Sequence, residues 1–260
     1  MLSSNDQPRE REDSGQRLEI HRHAVGISCL RLGLAFGSGF FLLGLLNRLP
    51  GFHRLSDTSP WIPKYIADAT AFFVGMIIIW RMSRGRYHDY GFTLKRKDLK
   101  ITACLLLGMA FGLLGFVLDH LDEIMSGSNW GPAHPYILTP LNIIGMLSFQ
   151  WIFVGIFEET VTRGLVQTHL LERMKGSVRI MGWDFHVGSV FTGLIFGLGH
   201  FGPHIFFGGT WMSLVPHLFF ATAYGFCSSY IYQQTRSLVG PIIMHNLTDG
   251  LIYSLDLLFY

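Results

Sequence analysis

The stretch that decides the fold joins an apolar run directly to two carboxylates, and it reads WIFVGIFEETVTR at residues 151–163. It lies inside a longer apolar segment, Pro140–Met174, which exceeds the roughly 20 residues that a helix needs to cross a bilayer. Ionisable side chains within a span are costly and tend to mark function. Glu158 and Glu159 therefore predict a functional site on a spanning helix. The alternative is that both glutamates are ordinary residues at the cytoplasmic end of that helix.

The next charged residue, Arg163, distinguishes the surroundings expected for the two glutamates. Glu159 and Arg163 are four residues apart, so in a helix they share one face and can form an ion pair. Glu158 lies about 100° around the helix from Glu159 and must face another neighbour. The spacing predicts a Glu159–Arg163 pair and a separate environment for Glu158.

The composition of the whole chain predicts a membrane protein. Only 15% of the 260 residues are charged and the mean hydropathy is +0.34, whereas soluble domains carry about 25% charged residues. Because lipid offers backbone polar groups no water, the predicted fold is all-α, a polytopic transmembrane helical bundle. About seven spans (six to eight) are predicted, from the apolar runs Ala24–Leu46, Tyr65–Trp80 with its flanks, Ile101–Leu118, Pro140–Met174, Val187–His200, Trp211–Gln233 and Leu238–Phe259.

The ends of these runs define the expected domain organisation. Residues 1–23 are rich in charge and almost lack large apolar side chains, which predicts a disordered cytoplasmic tail followed by one helical membrane domain over 24–260. The Pro140 run is too long for one crossing, so it is expected to extend into the cytosol or to break. Thr139 before Pro140 suits an N-cap followed by a first-turn proline.

Lysine and arginine residues are distributed unevenly between the two sides of the predicted bundle. With the N-terminus inside, fifteen lie on the cytoplasmic side and three on the other, while Arg31 and Arg163 fall within candidate spans. Because cytoplasmic loops carry an excess of basic residues, the N-terminus is expected to be cytoplasmic. No basic stripe indicates a nucleic-acid partner. The absence of retention and targeting motifs fits a bacterial cytoplasmic membrane and does not exclude the endoplasmic reticulum.

Two other apolar runs carry polar residues. The fifth run ends in His200, and the last contains His245 and Asp249, which are four apart and project together. Taken singly, a lone histidine is often a satisfied core residue, and a His–Asp pair can be an interhelical contact. Together with the glutamates they offer a carboxylate, an imidazole to position water and a second imidazole to meet developing charge. The combination predicts water activation and oxyanion stabilisation.

In this order the residues resemble the signature of the CAAX protease and bacteriocin-processing family, which includes the type II CAAX prenyl endopeptidases. The resemblance covers roughly residues 140–250, and its motifs are specific in combination although each alone is weak. The motif Glu-Glu-x-x-x-Arg corresponds to Glu158, Glu159 and Arg163, the motif Phe-x-x-x-His to Phe196 and His200, and the late motif His-x-x-x-Asn/Asp to His245 and Asp249.

The resemblance implies a peptide hydrolase and a role for each residue. Glu158 would act as the general base on the hydrolytic water, and His200 would help to hold that water. His245 would donate to the tetrahedral oxyanion. Glu159 would pair with Arg163 and organise the helix.

Asp249 departs from the pattern of the prenyl endopeptidases, which have asparagine there. An ionised aspartate only accepts hydrogen bonds, so Asp249 can orient His245 but cannot itself donate to an oxyanion unless it is protonated. This departure disfavours processing of prenylated tails and leaves peptide hydrolysis in place.

A divalent metal such as zinc is the one cofactor that the sequence admits, because the family is often described as metalloproteases. Catalytic zinc takes about three protein ligands and a water, and Glu158, His200 and His245 are the candidates. The chain has no His-Glu-x-x-His motif, so a metal-free mechanism based on glutamate fits equally well.

Depth along the helices gives a check on this set of residues. At about 1.5 Å per residue, Glu158 lies about 27 Å from the outer end of its helix, and His245 about 11 Å and His200 about 20 Å from the inner ends of theirs. Either the fifth span begins earlier, near Asp184, or the helices tilt. If His200 lay a full leaflet from Glu158, the catalytic interpretation would fail.

The leading functional prediction is an intramembrane endopeptidase whose site opens toward the cytosol. Its partners would be membrane lipid and a peptide or lipidated protein, such as a prenylated CAAX tail, a leader peptide or a transmembrane segment. The alternatives are a catalytically silent binding or immunity protein of the same family and a proton-coupled transporter. Inverted repeats would favour a transporter, and the sequence shows no convincing repeat.

Overall fold

A computed structural model describes residues 21–94, 99–127, 137–201 and 211–259, and this part of the chain is almost entirely helical. Helices account for most of these residues, and short connections join them. In chain order they are α1 (Arg22–Leu46), α2 (Pro50–Thr58), α3 (Trp61–Ser83), α4 (Ile101–Asp119), α5 (Leu121–Ser126), α6 (Pro140–Arg173), α7 (Val187–Gly199), α8 (Trp211–Thr235) and α9 (Val239–Asp256), with 3₁₀ turns at Tyr87–Tyr90 and Leu257–Phe259.

The helices differ in their suitability for crossing a membrane. Of the helices described, α1, α3, α4 and α6 are long and apolar enough to do so, and α7 is apolar but short. Helices α8 and α9 carry polar side chains within their apolar sequence, among them Ser228 and Asp249. The predicted all-α membrane fold is confirmed, whereas the predicted number of about seven spans is not.

Helix α6 begins where the sequence predicts. Thr139 precedes it with an extended backbone, and its hydroxyl oxygen accepts a hydrogen bond from the backbone N–H of Asn142 at 3.2 Å. Pro140 occupies the first turn, where a missing N–H removes no helical hydrogen bond. This cap fixes the N-terminal end of the helix that carries both glutamates.

Helix α6 continues without a break for 34 residues. At 1.5 Å per residue that is roughly 50 Å, longer than the approximately 30 Å hydrocarbon core. Two stretches are π-helical, at Phe149–Phe153 and Thr160–Gln167, and they flank the segment Val154–Glu159. Such segments interrupt regular helical hydrogen bonding and are frequent at functional sites. The helix therefore does not break, which was one of the two expected outcomes.

Helix α9 lies against the middle of α6 through Asn246. The Asn246 side chain accepts a hydrogen bond from the backbone N–H of Gly155 at 2.8 Å and donates one to the carbonyl of Ile152 at 3.0 Å. A Cβ atom at Gly155 would lie 2.5 Å from the Asn246 oxygen, so this approach requires glycine. The bridge places α9 beside the turn that carries the paired glutamates.

Helix α3 runs along the other side of α6 and packs through aromatic rings. The ring of Tyr65 lies 5.6 Å from Phe149, 5.4 Å from Phe153 and 5.6 Å from Phe157, measured between ring centres. Helices α1 and α3, α4 and α9, and α7 and α8 form further packed pairs. The part of α6 from Glu159 to Leu171 is buried among its neighbours, whereas Leu141, Ile144 and Ile152 nearer its start are exposed.

A small β-hairpin follows α6 and was not predicted. Strands β1 (Ser177–Ile180) and β2 (Trp183–His186) pair antiparallel. Met181 and Gly182 form the turn with φ values of +50° and +86°. Two-residue hairpin turns of this kind favour Asn-Gly or Gly-Gly, so the methionine gave no local signal.

The hairpin also fixes the start of α7. His186 lies at the end of β2, and its Nδ1 accepts a hydrogen bond from the backbone N–H of Gly188 at 3.0 Å. The helix thus begins at Val187. The earlier start near Asp184 that the depth calculation allowed is wrong.

Parts of the predicted organisation fall outside the described residues. They include residues 1–20 of the predicted cytoplasmic tail. Helix α7 ends at Gly199, immediately before His200.

Candidate active site

Glu159 is the centre of a buried hydrogen-bond network between α6, α8 and α9. Its Oε1 accepts hydrogen bonds from Arg163 Nη1 at 3.0 Å and from His245 Nδ1 at 2.9 Å. The Tyr224 hydroxyl donates to the same oxygen at 3.4 Å, and the Ser228 hydroxyl donates to Oε2 at 3.1 Å. Because these donors occupy the carboxylate and the side chain is 0% exposed, Glu159 holds three helices together and presents no free face.

Arg163 ties this network to α7 and α8. Its side chain is fully buried and donates to Thr162 Oγ1 at 2.9 Å and to the carbonyl of Gly225 at 3.3 Å. The guanidinium lies 4.2 Å from the centre of the Phe196 ring, a cation–π arrangement. The structure therefore contains the Glu159–Arg163 pair expected from the sequence and adds Phe196 to it.

Glu158 occupies a different environment although it is adjacent in sequence. Its side chain is 15% exposed, and its Oε2 lies 3.9 Å from Nε2 of His245. Within the described residues the carboxylate makes no hydrogen bond, because 3.9 Å is beyond hydrogen-bonding distance. Glu158 is thus a carboxylate with free acceptor capacity beside an imidazole.

His245 lies between the two glutamates and Asp249. Its Nδ1 donates to Glu159, since an ionised carboxylate only accepts. Its Nε2 is directed at Glu158 and at Asp249, whose Oδ2 is 3.6 Å away and whose side chain is 23% exposed. Glu159 therefore fixes the orientation of the ring and leaves Nε2 facing the open side of the site.

His200 joins the site through an aromatic ring. Its Nδ1 lies 2.8 Å from the carbonyl oxygen of Phe196, so Nδ1 donates and Nε2 is left as an acceptor. The His200 ring is 4.7 Å from the Phe196 ring, which in turn is 6.2 Å from His245. His200 also interacts electrostatically with Asp249. These contacts place His200 one ring away from His245.

Helix α3 contributes two charged residues that no motif indicated. Asp68 is 8% exposed, its Oδ2 has no hydrogen-bond partner among the described residues, and it interacts electrostatically with Glu158, Asp249 and Lys64. Lys64 Nζ lies 5.4 Å from the centre of the Phe149 ring. Two ionisable residues four positions apart in a predicted span are the same signal that indicated the functional residues of α6. The sequence could therefore have indicated Lys64 and Asp68 as well.

The predicted zinc ligands do not form a metal site as arranged. Within the part of the chain that the structure describes, no group of three His, Cys, Asp or Glu side chains lies close enough to hold a metal ion. His245 Nδ1 is taken by Glu159, so only Nε2 of this ring, 3.9 Å from Glu158, is left to face a metal. Glu158, His200 and His245 therefore do not fit a three-ligand zinc centre here.

Comparison with known proteins bears on the same segment. Residues 140–251 match the family model described as type II CAAX prenyl endopeptidase Rce1-like. The match spans Glu158, Phe196 and Asp249 but not α3 with Lys64 and Asp68. No curated protein and no solved structure matches the chain. Residues 140–251 are thus similar to the Rce1-like type II CAAX prenyl endopeptidases, a protease family, and the predicted resemblance is confirmed over this segment.

Proposed function

We propose that this chain is an intramembrane endopeptidase in which Glu158 activates the water that hydrolyses a peptide bond. The observation that carries the proposal is the contrast between neighbouring carboxylates. Glu159 accepts hydrogen bonds from four side chains, whereas Glu158 makes none to the described residues and is partly exposed beside His245. A general base needs a free lone pair within reach of water, and Glu158 has one.

The proposed chemistry assigns each proton to a named atom. Glu158 takes one proton from water as the water oxygen attacks the peptide carbonyl carbon, and the carbonyl electron pair moves to oxygen. Nε2 of His200 accepts a hydrogen bond from the other water proton. Nε2 of His245, when protonated, donates to the oxyanion. When the C–N bond breaks, Glu158 returns its proton to the leaving nitrogen.

Asp249 and Glu159 support His245 in this scheme. Glu159 holds Nδ1 at 2.9 Å, and Asp249 Oδ2 lies 3.6 Å from Nε2 on the open side. Asp249 orients the ring without donating to the oxyanion, as expected for an acceptor-only group. The proposed substrate is a peptide near its membrane attachment, with a leader peptide or transmembrane segment favoured over a prenylated tail. The proposed location is a bacterial cytoplasmic membrane.

The test is a profile of peptide termini across the membrane proteome of host cells. Cells expressing the wild-type chain are compared with cells expressing Glu158→Ala at equal protein level. The matched control is Glu172→Ala, which removes an exposed glutamate from the same helix. We expect new termini with the wild type and with Glu172→Ala, but not with Glu158→Ala.

Two results would decide against the proposal. Indistinguishable profiles in cells where the chain is folded would indicate a binding or immunity protein without catalysis. Termini that persist in Glu158→Ala would show hydrolysis that does not use Glu158.

A further inference from the structure

The β-hairpin between α6 and α7 has one apolar and one polar face. In its register Val178 lies opposite Phe185, and Ile180 lies opposite Trp183. Residues that are directly opposed in a sheet share a face, so these four apolar side chains lie together. Successive side chains of a strand alternate between faces, which puts Arg179 on the other one. The hairpin is therefore amphipathic.

The described part of the chain covers only part of the apolar face. Phe185 is buried, and its ring lies 5.9 Å from Phe226 and 5.0 Å from Tyr230 of α8. The ring of Trp183 lies 4.7 Å from Tyr230 and is still 55% exposed, and Val178 is exposed as well. A two-stranded hairpin needs an apolar packing partner to be stable in water. Much of this face is left to a partner that the described residues do not supply.

Hydrogen bonds hold the base of the hairpin against α8. The backbone N–H of His186 donates to the side-chain oxygen of Gln233 at 2.8 Å, and the Gln233 amide donates to the carbonyl of Asp184 at 2.9 Å. At the opposite end Met181, in the turn, is 94% exposed. The exposed apolar residues therefore have a defined position relative to the helices.

The ends of the neighbouring helices show where the membrane boundary lies relative to the hairpin. Helix α4 has no charged residue before Asp119, and its 19 residues extend about 28 Å, close to the approximately 30 Å of a hydrocarbon core. Its start at Ile101 therefore marks one boundary of the core. Helix α9 begins at the same level, because a Cβ atom at Gly240 would lie 2.9 Å from the sulfur of Cys104. Helix α8 ends just before α9 begins, so α8 reaches the same boundary.

The exposed ring of Trp183 lies at the depth of the membrane interface. Tyr230, which it contacts, precedes the end of α8 at Thr235 by five residues, about 8 Å along the helix axis. Amphipathic elements that lie in a membrane interface bury their apolar face about 5–10 Å deep. Tryptophan and tyrosine are enriched at that level, because their rings are apolar and carry one polar group. The Trp183–Tyr230 pair has both the composition and the depth of an interfacial anchor.

The uncovered face of the hairpin adjoins an apolar stripe on α8. Val215, Phe219, Phe226 and Tyr230 follow one another at intervals of four, seven and four residues, which places them on one side of the helix. The first two are exposed and lie further from the boundary along α8. The exposed face of the hairpin thus continues an apolar surface that lipid tails would cover, which favours lipid over water as its surroundings.

Basic side chains outnumber acidic ones around the hairpin. The hairpin and the helix ends beside it carry four basic residues and two acidic ones, namely Arg173, Lys175, Arg179 and Arg236, and Glu172 and Asp184. An excess of basic residues beside a bilayer attracts the anionic headgroups of the cytoplasmic leaflet. The basic residues of the whole chain predict the same leaflet for this end of the bundle. The polar surroundings therefore suit headgroups, as the apolar face suits acyl chains.

We propose that the β-hairpin is a membrane anchor that lies in the interface of the cytoplasmic leaflet. Val178, Met181 and Trp183 insert between lipids where headgroups meet acyl chains, while Arg179 remains among the headgroups. The partner is the bilayer itself, and no particular lipid species is required. The anchor holds the adjoining ends of α6 and α7 at the membrane surface. The inference does not depend on peptide hydrolysis.

The test locates the two faces of the hairpin in a bilayer by fluorescence quenching. The full chain with Cys29→Ser, which removes the exposed native cysteine, is reconstituted in nanodiscs of phosphatidylcholine and phosphatidylglycerol. The fluorophore NBD is attached at Val178→Cys, Met181→Cys or Arg179→Cys, one at a time. Phosphatidylcholine brominated near the headgroup quenches from the bilayer, and iodide quenches from water. The same chain without an added cysteine corrects for labelling of the other native cysteines.

We expect lipid quenching to be several-fold stronger at Val178→Cys and Met181→Cys than at Arg179→Cys, and iodide quenching to be several-fold weaker. Val178 and Arg179 are adjacent, exposed residues of one strand. They are therefore matched in position along the hairpin and differ in the face that they occupy. The difference between them measures which face of the hairpin meets the lipid.

Three results would overturn the proposal. Strong iodide quenching at all three positions would place the whole hairpin in water. Equal lipid quenching on both faces would show that the hairpin has no lipid-facing side. Weak quenching by both agents at Val178→Cys and Met181→Cys would show that protein, either another part of the chain or a second copy, covers the apolar face. If Val178→Cys does not fold, Met181→Cys and Arg179→Cys give the same decision, because Met181 is almost fully exposed.

Discussion

The two sides of the candidate site are built on opposite principles. On the inner side, Glu159 is saturated by donors from three helices and is fully buried. On the open side, Glu158 is partly exposed and makes no hydrogen bond to a described residue, and Asp68, although buried, has an Oδ2 without a partner there. The carboxylates resemble one another in chemistry and differ in what surrounds them. Saturation makes a carboxylate structural, and free acceptor capacity makes it available to water or substrate.

This contrast has a measurable consequence. Changes on the saturated side should lower stability strongly, because each removed partner leaves a buried group unsatisfied. Changes on the open side should leave stability nearly intact and act on chemistry.

The largest loss of stability is expected for Arg163→Met. The change removes the cation that compensates buried Glu159, and breaking a buried pair by removing one partner costs about 3–5 kcal/mol. The measurement is the midpoint of thermal unfolding in detergent. Arg173→Met, which removes an exposed arginine from the same helix, is the control and should change little. Equal midpoints for the two variants would show that the pair contributes nothing to stability.

A smaller loss of stability is expected for Asn246→Ala. The change leaves the N–H of Gly155 and the carbonyl of Ile152 without their partner on α9. Unsatisfied buried groups cost about 1–3 kcal/mol each, and we expect about 2 kcal/mol in denaturant unfolding because Asn246 is only half-buried. Asn47→Ala, at the exposed end of α1, is the matched control. A cost no greater than that of the control would remove Asn246 as the link between α6 and α9.

The cap of α7 should make stability depend weakly on pH. Burial, aided by nearby Arg236, lowers the pKa of His186, and its Nδ1 must stay unprotonated to accept from Gly188. As pH falls through the ordinary histidine range near 6.5, the unfolded chain gains this proton first, so stability falls. The contribution is bounded by one hydrogen bond, about 1 kcal/mol.

The comparison variant for this effect is His186→Asn, which retains an acceptor for the cap but does not titrate. Unfolding midpoints at about pH 7 and pH 5 should differ more for the wild type than for this variant, the pH range being set by the usual histidine pKa. Identical pH dependence in both would show that His186 does not couple the cap to protons.

The smallest effect on stability is expected for Asp68→Asn on the open side. Asp68 Oδ2 has no partner among the described residues, and the like charges of Glu158 and Asp249 that act on it are opposed by Lys64 and His245. Removing its charge should leave the free energy of unfolding unchanged within about 0.5 kcal/mol or raise it slightly. A loss comparable to that of Arg163→Met would mean that Asp68 belongs to the structural network.

Local spacing was sufficient to predict the parts of the site that lie on one helix. Thr139 and Pro140 indicated where α6 begins, and the interval from Glu159 to Arg163 indicated the pair that the structure contains. These features depend on residues within one or two turns. Helical periodicity alone determines which of them share a face.

The donors that separate Glu159 from Glu158 could not be read from spacing. Tyr224 and Ser228 lie on α8, and each is more than sixty positions from Glu159. The sequence around a tyrosine or serine in an apolar helix does not indicate its hydrogen-bond partner. That partner is determined by how segments distant in sequence pack together. The hairpin turn at Met181 was missed for a related reason, since tertiary context imposes its positive φ.

The most direct test of the division between the two glutamates is the unfolding midpoint of Glu158→Gln beside that of Glu159→Gln, in one detergent and at one pH. Both changes are isosteric and remove one charge from adjacent positions. The contrast predicts a large drop for Glu159→Gln, because Arg163 and His245 lose a charged acceptor, and almost no change for Glu158→Gln. Equal drops, or a larger drop for Glu158→Gln, would contradict it and remove Glu158 as the carboxylate available to water.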